Sequence, residues 1–352
     1  MANKTARLGD LATYINGYAF KPADWGDTGL PIIRIQDLTG NSYQLNRYDG
    51  EYPERIEVND GDVLISWSAS LGVYVWQRGK ALLNQHIFKV VFDKLPVSKE
   101  YFVFAVEHKL AEMESKTHGA TMKHIVKKDF DGTTIPYPPI EKQAEIADHL
   151  RRITSLIDKQ TEQLLLLDQL VKSRFIELFG DPQRNPHGYK HTKLSDIATF
   201  YNGLTYKPEN VAAEGTIVLR SSNIQNSQLD FADTIRVDCA IKERLMVQKN
   251  DILMCSRNGS AKLVGKVALI KDIQEPMSFG AFMMIIRSHY FGYLMTYFQM
   301  DAFRQQIKTG ATTTINQITG GMLDDVTIPL PPMSLVDQFA AFVEQTDNCL
   351  LY

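Results

Sequence analysis

Short runs of alternating hydrophobic and polar residues recur along two stretches of the chain. Runs such as residues 30–35, Val63–Ser66 and residues 87–92 are bounded by Gly, Asn and Asp, which is typical of β-strands. Apolar spacing of three and four residues predicts short helices at LGDLATYI and LSDIATFY, and longer helices at YFVFAVEHKLAEME and YLMTYFQMDAFRQQI. Each stretch is therefore predicted to be a mixed α+β domain of about 140 residues, a usual domain size.

A different pattern lies between these stretches. Residues 140–179 contain no Gly or Pro, and Gly180-Asp181-Pro182 follows them as a helix stop signal. Alternating steps of four and three residues from Ile146 to Leu178 reach positions that are all apolar except Gln160 and Arg174. This spacing indicates a coiled-coil seam. Its apolar members are Ile146, Leu150, Ile153, Ile157, Leu164, Leu167, Val171 and Leu178. A single helix of about 60 Å is predicted. A paired helix is favoured over one lying on a domain, because few domain surfaces are that long.

The two stretches repeat each other. LGDLATYINGYAFKPADW, from Leu8, matches LSDIATFYNGLTYKPENV, from Leu194, and aligns Lys21-Pro22 with Lys207-Pro208. The match continues in order through Arg34 and Arg220, Asp62 and Asp251, HGATMKHI and TGATTTIN, and IPYPP and IPLPP. Two unrelated domains of one generic pattern could share turn residues, but this ordered series is too specific. The sequence predicts a tandem duplication, in which drifting offsets mark loop insertions.

These patterns divide the chain into four segments. We predict a first domain at residues 1–139, a long coiled-coil helix at 140–181, a linker with a second domain at 182–333, and a second helix at 334–352. The last segment resumes a helical period after IPLPP, with Gln338 matching Gln143, and stops at Tyr352. The second helix is thus predicted to be present only as its first few turns.

Composition narrows the class of protein. With 352 residues, 44% hydrophobic and 22% charged, the chain is typical of a soluble multidomain protein, and no apolar run approaches the ~20 residues of a membrane span. The N-terminus lacks an apolar signal segment, and three scattered cysteines do not suggest disulfides, so we expect a cytoplasmic protein. The net charge of −3 argues weakly against DNA binding. DNA binding by this chain would therefore need local clusters of positively charged residues, or partner subunits that neutralise the phosphates.

Catalytic signatures are missing. The Pro-Pro pairs lack the preceding amide or carboxylate that an adenine methyltransferase uses, and GSAKLVGKV departs from the phosphate-loop spacing. His187 and His191 lie in a polar linker without acidic or thiol partners, so solvated histidines are favoured over a metal site. The sequence predicts no catalytic residue, cofactor or metal. A binding module is favoured over an enzyme with an unfamiliar active site.

The motif series resembles the specificity subunit of Type I restriction-modification enzymes. NGYAFKP with NGLTYKP, GDVLIS with NDILMC, and two Pro-rich helix starts carry the resemblance over nearly the whole chain. It implies two target recognition domains that each read half of a split site in double-stranded DNA, without a membrane partner. It also implies helices that act as a ruler and dock two methyltransferase subunits, which restriction subunits join. Methylation and cleavage would then belong to those partners.

Polar runs at equivalent repeat positions are the predicted DNA-reading loops. Arg257 and Asn258 suit bidentate readout of guanine or adenine, and Lys21 and Lys207 suit phosphate contact. Ordinary turns remain the alternative, including a fold-stabilising turn at each Lys-Pro pair. The predicted contact residues are Lys21, Ser66, Trp67, Ser68, Ser70, Lys116, His118, Thr121, Lys123, Lys207, Ser256, Arg257, Asn258, Thr312, Thr313 and Thr314.

The short second helix has its own consequence. In an antiparallel pair, residues 339–350 would cover 164–178 and leave 146–157 exposed to water. Four apolar side chains on one seam predict self-association through residues 146–157, or docking of a methyltransferase subunit. The alternative function is a truncated or silent-cassette specificity protein, acting only as a coiled-coil partner without productive DNA recognition.

Overall fold

The computed structural model describes residues 4–40, 45–116, 127–307 and 317–348. The chain forms two compact units, Met1–Gln160 and Thr161–Tyr352, and the division falls within the long helix. The four predicted segment boundaries remain predictions.

The first unit contains ten strands and the start of the long helix among its described residues. Its elements are β1 (Thr5–Arg7), α1 (Leu8–Leu11), β2 (Thr13–Asn16), β3 (Leu30–Ile33), α2 (Ile35–Leu38), β4 (Arg47–Tyr48), β5 (Glu57–Val58), β6 (Val63–Ser66), β7 (Gly72–Val75), β8 (Ala81–Leu83), β9 (Ile87–Val91), α3 (Lys99–Lys116), α4 (Lys127–Gly132), β10 (Thr134–Pro136) and α5 (Ile140–Phe179).

Two four-stranded sheets organise this unit. One is antiparallel with the order β2-β9-β6-β7, and the other has the order β4-β3-β8-β5 with β3 and β8 parallel. All four residues of β6 are buried because each face of the strand covers a different core. Val63 and Ile65 pack with Phe102, whereas Leu64 packs with Trp76. The apolar run of β6 therefore reflects burial on both faces.

The second unit repeats this plan. Its elements are β11 (His191–Lys193), β12 (Thr199–Asn202), β13 (Val211–Ala212), β14 (Thr216–Leu219), β15 (Ile224–Gln225), β16 (Gln228–Leu229), β17 (Arg236–Val237), β18 (Ile252–Cys255), β19 (Val267–Leu269), β20 (Met277–Phe279), β21 (Met283–Arg287), α6 (Phe291–Tyr297), α7 (Asp301–Ile307), α8 (Gly320–Asp324), β22 (Thr327–Pro329) and α9 (Met333–Asn348). Its sheets run β12-β21-β18-β19 and β13-β17-β14-β20, with β14 and β20 parallel. The predicted duplication is confirmed.

The repeated Asn-Gly pair has a steric origin. A Cβ on Gly17 would clash with the Asn84 carbonyl oxygen, and a Cβ on Gly203 would clash with the Gly280 carbonyl oxygen. Gly17 follows β2 and Gly203 follows β12, where the chain passes close to the turn after β8 or β20. Only glycine permits this approach, so the same residue stands in both repeats.

Three helix predictions were wrong in detail. LGDLATYI forms α1 followed by β2, and LSDIATFY forms a single 3₁₀ turn at Leu194–Asp196 followed by β12. The second half of each motif pairs with β9 or β21, so the sheet ladder overrides the local helical spacing. The predicted helix YLMTYFQMDAFRQQI is divided into α6 and α7, and the rings of Phe298 and Phe303 pack 4.8 Å apart across the break.

The long helix is confirmed as α5, and Gly180 ends it with a φ of 74°. In the first unit, Gln143 near its start is fully buried, accepting a hydrogen bond from the Ser98 amide and donating one to the Pro138 carbonyl. The matching position on α9 is Val336, not Gln338. Gln143 and Val336 each donate a backbone hydrogen bond to the second proline of their Pro-Pro pair, whereas Gln338 is exposed.

The last turns of α5 meet α9 inside the second unit. Phe339 packs against Phe175 and Phe179, and the Arg174 guanidinium lies 5.8 Å from the Phe342 ring. Residue numbers rise along α9 as they fall along α5, which is the predicted antiparallel sense. α9 covers a shorter part of α5 than predicted, since Leu164 is 48% exposed. The last part of the predicted cover, residues 349–350, lies outside the described residues.

Candidate DNA interface

In the first unit, the end of β6 lies against the turn between β8 and β9. The Trp67 amide donates to the His86 carbonyl at 3.3 Å. The Trp67 ring stacks on Phe88 at 5.4 Å between centroids and contacts the His86 ring edge-on at 5.0 Å. Two loops that are separate in sequence therefore form one local surface, and Trp67 is partly buried in it.

The second unit builds the same junction with different side chains. The Phe282 carbonyl accepts hydrogen bonds from the Ser256 amide (3.0 Å), the Arg257 amide (3.1 Å) and the Ser256 hydroxyl (3.0 Å). The strand register pairs Ser66 with Ile87 and Cys255 with Met283. Trp67 thus corresponds to Ser256.

This register agrees with the sequence alignment of GDVLIS with NDILMC, whereas the polar runs SWSAS and SRNGS, which both begin with serine, are shifted by one residue relative to each other. The shift of one residue arises because strand pairing, and not the shared serines, fixes the equivalence. Two loops with similar polar residues are therefore offset on their common scaffold, so that Arg257 takes the place of Ser68.

The side chains of Arg257 and Asn258 differ in their exposure and in their hydrogen bonds. Arg257 is exposed, and its guanidinium lies 5.6 Å from the Phe282 ring. The Asn258 amide nitrogen donates to the Ser221 hydroxyl at 3.2 Å, while its oxygen accepts from the Ser260 amide at 2.9 Å. Bidentate base readout by Asn258 would require these contacts to break, whereas Arg257 could reach a base edge directly.

The Arg257 loop also contacts Gln317 and Ile318. Arg257 forms a β-bridge with Gln317, and the Ile318 amide donates to the Ser256 carbonyl at 2.7 Å. Gln317 directly follows residues 308–316, which lie outside the described residues. The first residues described after this gap therefore lie beside the Arg257 loop.

The remaining predicted contacts fall into three groups. Ser66, Ser68 and Ser256 are buried, which argues against direct contact with DNA. Lys21, Ser70 and Lys207 are exposed. The side chain of Lys116, together with His118, Thr121, Lys123, Thr312, Thr313 and Thr314, lies outside the described residues. DNA contact by any of these residues stays a prediction.

The Lys-Pro pairs have a clear backbone role. The Lys21 amide donates to the Asp24 carboxylate at 2.7 Å, and the Lys207 amide donates to the Asn210 side-chain oxygen at 3.0 Å. Each pair thus starts a 3₁₀ turn, in accordance with the fold-stabilising alternative. The lysine side chains remain exposed, although the Lys207 ammonium lies 3.3 Å from a carboxylate oxygen of Glu209. Phosphate contact is therefore sterically open to both.

Sequence reasoning missed the turns that carry His86 and Phe282. No motif marks them, because the residues differ between repeats and the turns lie far along the chain from the loops they support. The exposure of Phe282 became visible only in the structure.

The described residues contain no group of three or more His, Cys, Asp or Glu side chains placed to hold a metal ion. No described helix is long and apolar enough to cross a membrane.

Comparison with known proteins identifies what these repeated units are. The model of the Type I restriction modification DNA specificity domain matches the sequence twice, over residues 2–167 and 186–351. The chain belongs to this family. The predicted resemblance is thus confirmed, as is the fold class of two tandem mixed α/β target recognition domains with a long helix between them in the sequence.

Relatives and solved structures agree with this assignment. The chain is 24% identical to the Type I restriction enzyme EcoBI specificity subunit of Escherichia coli, over 77% of the chain and 62% of that subunit. It is 24% identical to the MjaVIII specificity subunit of Methanocaldococcus jannaschii, over 99% of the chain and 86% of that subunit. The S subunit from M. genitalium shares the fold with a TM-score of 0.58 at 15% identity, covering 99% of this chain and 90% of the other.

Proposed function

We propose that this specificity-family chain is the non-catalytic DNA-recognition subunit of a Type I restriction-modification complex, acting in the cytoplasm on double-stranded DNA. The observation that carries the proposal is the double family match, one for each structural repeat. Each unit would read one half of a bipartite site. The curated relatives named above are specificity subunits, in line with this role.

The side chains at the repeated junction support two different half-sites. At this junction the first unit has Trp67, Ser68 and His86 at the positions of Ser256, Arg257 and Phe282 in the second. Base edges are distinguished by their donor, acceptor and apolar patterns. Two domains with the same backbone geometry but different side chains are therefore suited to recognising two different sequences. The net charge of −3 fits a subunit whose partners supply much of the phosphate neutralisation.

Methylation mapping of the host genome tests the proposal. Deleting the gene should abolish methylation at one split motif, and restoring it should recover that motif. Restoring it as Arg257→Ala should relax one position in one half, while Trp67→Ala should alter only the other half. Methylation that does not depend on the gene, or variants that alter the same half, would contradict the proposal.

The exposed seam of α5 supports a docking role for the middle of the helix. Ile153 and Ile157 are 53% and 57% exposed, and Leu150 is 37% exposed, whereas Ile146 is only partly exposed. Fully burying one such side chain stabilises an interface by roughly 1.5–3 kcal/mol. We propose that methyltransferase subunits, most naturally two, pack on this helix and that restriction subunits join that complex. Without the methyltransferase, residues 146–157 would pair with a second copy.

Light scattering of the purified chain, alone and with its methyltransferase, tests this docking role. Ile153→Glu places a charge on the seam and should reduce both assemblies, because an unpaired charge is costly to bury. Gln163→Glu adds the same charge at an exposed polar position of α5 and serves as the matched control. A monomer at tens of micromolar that also fails to bind methyltransferase would refute docking, as would unchanged assembly of Ile153→Glu. Binding without any gene-dependent methylation would instead favour the adaptor without DNA recognition.

A further inference from the structure

The turn between β20 and β21 presents an aromatic ring to solvent. Phe282 is 58% exposed, more than any other described phenylalanine, and the next is Phe231 at 46%. Its neighbours Phe279 and Met283 are buried in the core of the second unit. The strands on both sides thus bury their apolar side chains, whereas the turn projects one outward.

The backbone of this turn is held firmly. The Met283 amide donates to the Gly280 carbonyl at 2.8 Å and closes the turn. The Phe282 carbonyl accepts the three hydrogen bonds from Ser256 and Arg257 described above, which tie the turn to the end of β18. A ring on such a support is already positioned, so little conformational entropy is lost when it makes a contact.

The chemistry beside the ring points to a nucleic acid. The Arg257 guanidinium lies 5.6 Å from the ring centroid, within the range of a cation–π contact. An aromatic face that stacks on a base, next to a cation that pairs with phosphate or a base edge, is a recurrent combination in nucleic-acid binding.

We propose that Phe282 inserts at one base step of the half-site read by the second unit and partly unstacks it, with Arg257 contacting the DNA beside it. This inference rests on the proposed DNA-reading function and names a residue that determines specificity within it. Unstacking costs differ between base steps, since pyrimidine–purine steps open most easily, so the ring would select sequence without a base-edge hydrogen bond.

The first unit lacks this feature. His86 occupies the position of Phe282, but it has a positive φ of 71°, is only partly exposed and contacts the Trp67 ring. Trp67 is itself stacked on Phe88. The expected insertion is therefore confined to one of the two half-sites.

The experiment starts from the purified full-length chain and a pool of random duplex DNA, from which bound duplexes are selected and sequenced. Fluorescent base analogues, bright when unstacked, are then placed in turn at each position of the selected duplex. Fluorescence should rise at one step in one half-site. Phe282→Ala should abolish this rise and weaken binding roughly 5-fold to 150-fold, as expected for the loss of one base–aromatic stack. Phe282→Trp should retain the rise.

Phe231→Ala is the matched control, because it removes an equally large exposed ring from the same unit. Phe231 lines an open cavity with Arg236 and Lys271, which the proposal does not use. Its binding and fluorescence should equal those of the unchanged chain. Circular dichroism should show native folding for both alanine variants, since neither ring is part of the core.

The outcomes separate the two levels of inference. If no duplex is selected either by the chain alone or by the chain with its methyltransferase, DNA reading by the chain is refuted and the insertion with it. If a split duplex is selected and bound without a rise at any step, the insertion alone is overturned. A fluorescence rise that persists in Phe282→Ala also overturns the insertion, and DNA recognition would then depend on other residues.

Discussion

Replacing Phe339 with alanine tests the packing that joins α9 to the end of α5. Phe339 is fully buried, and its ring centroid lies 5.6 Å from that of Phe175 and 5.4 Å from that of Phe179, in edge-to-face geometry. Truncating a buried phenylalanine typically costs about 3–5 kcal/mol, and an aromatic pair contributes about 0.5–1.5 kcal/mol beyond its buried area. With two such pairs lost, we expect the second unit to lose about 4 kcal/mol of its free energy of unfolding.

Urea titration with two probes measures this loss. All three tryptophans, Trp25, Trp67 and Trp76, belong to the first unit, so tryptophan fluorescence follows that unit. Far-UV circular dichroism follows both units. With a urea dependence of about 2 kcal/mol per molar, Phe339→Ala should move the dichroism transition of the second unit down by about 2 M. The tryptophan transition should stay in place if the units unfold independently.

Ile157→Ala is the control on the exposed part of α5, where the side chain is 57% exposed. Its effect should stay within about 0.5 kcal/mol, as is usual for surface positions. The stabilising role of Phe339 would be refuted if Phe339→Ala were as stable as the unchanged chain, or if Ile157→Ala were as destabilising as Phe339→Ala.

Three other predictions follow from the described side chains. Arg257→Ala should cost about 1–3 kcal/mol on the cognate duplex and relax one motif position, and unchanged affinity with an unchanged motif would remove Arg257 from the interface. Replacing Lys21 and Lys207 with Gln should weaken binding to all duplexes alike and reduce the salt slope by about one per lost phosphate contact, whereas a changed motif with an unchanged slope would contradict this. Burial raises the pKa of the Cys255 thiol, which lowers its thiolate fraction at neutral pH, so the partly exposed Cys239 should be alkylated before Cys255, as peptide mass spectrometry would show.

Much of the fold could be predicted because its signals are local or repeated. Forty consecutive residues without Gly or Pro, followed by Gly180, predict one uninterrupted helix, and α5 has those bounds. The duplication was visible because Gly17 and Gly203 recur for a steric reason that any pair of such domains must share. The coiled-coil stripe was visible because its period is set by helix geometry.

Errors arose where long-range pairing competes with local preference. The motifs at Leu8 and Leu194 have helical spacing, yet their second halves join sheets through β9 and β21, whose paired residues lie 72 to 88 positions away in the chain. The polar runs SWSAS and SRNGS both begin with serine, yet strand pairing places Ser66 opposite Ile87 and Cys255 opposite Met283, so the two runs are offset by one residue.

The sequence by itself thus determined the two-domain plan, the long helix and the family, because periodicity, stop signals and ordered motifs are properties of residues near one another in the chain. Only the tertiary structure decided which polar residues remain available to a ligand. Ser256 is buried and Arg257, its neighbour, is exposed, and no pattern in SRNGS distinguishes them. Phe282 became a candidate only when the fold placed its turn against Arg257, because residues that meet across a sheet leave no mark on their separate sequences.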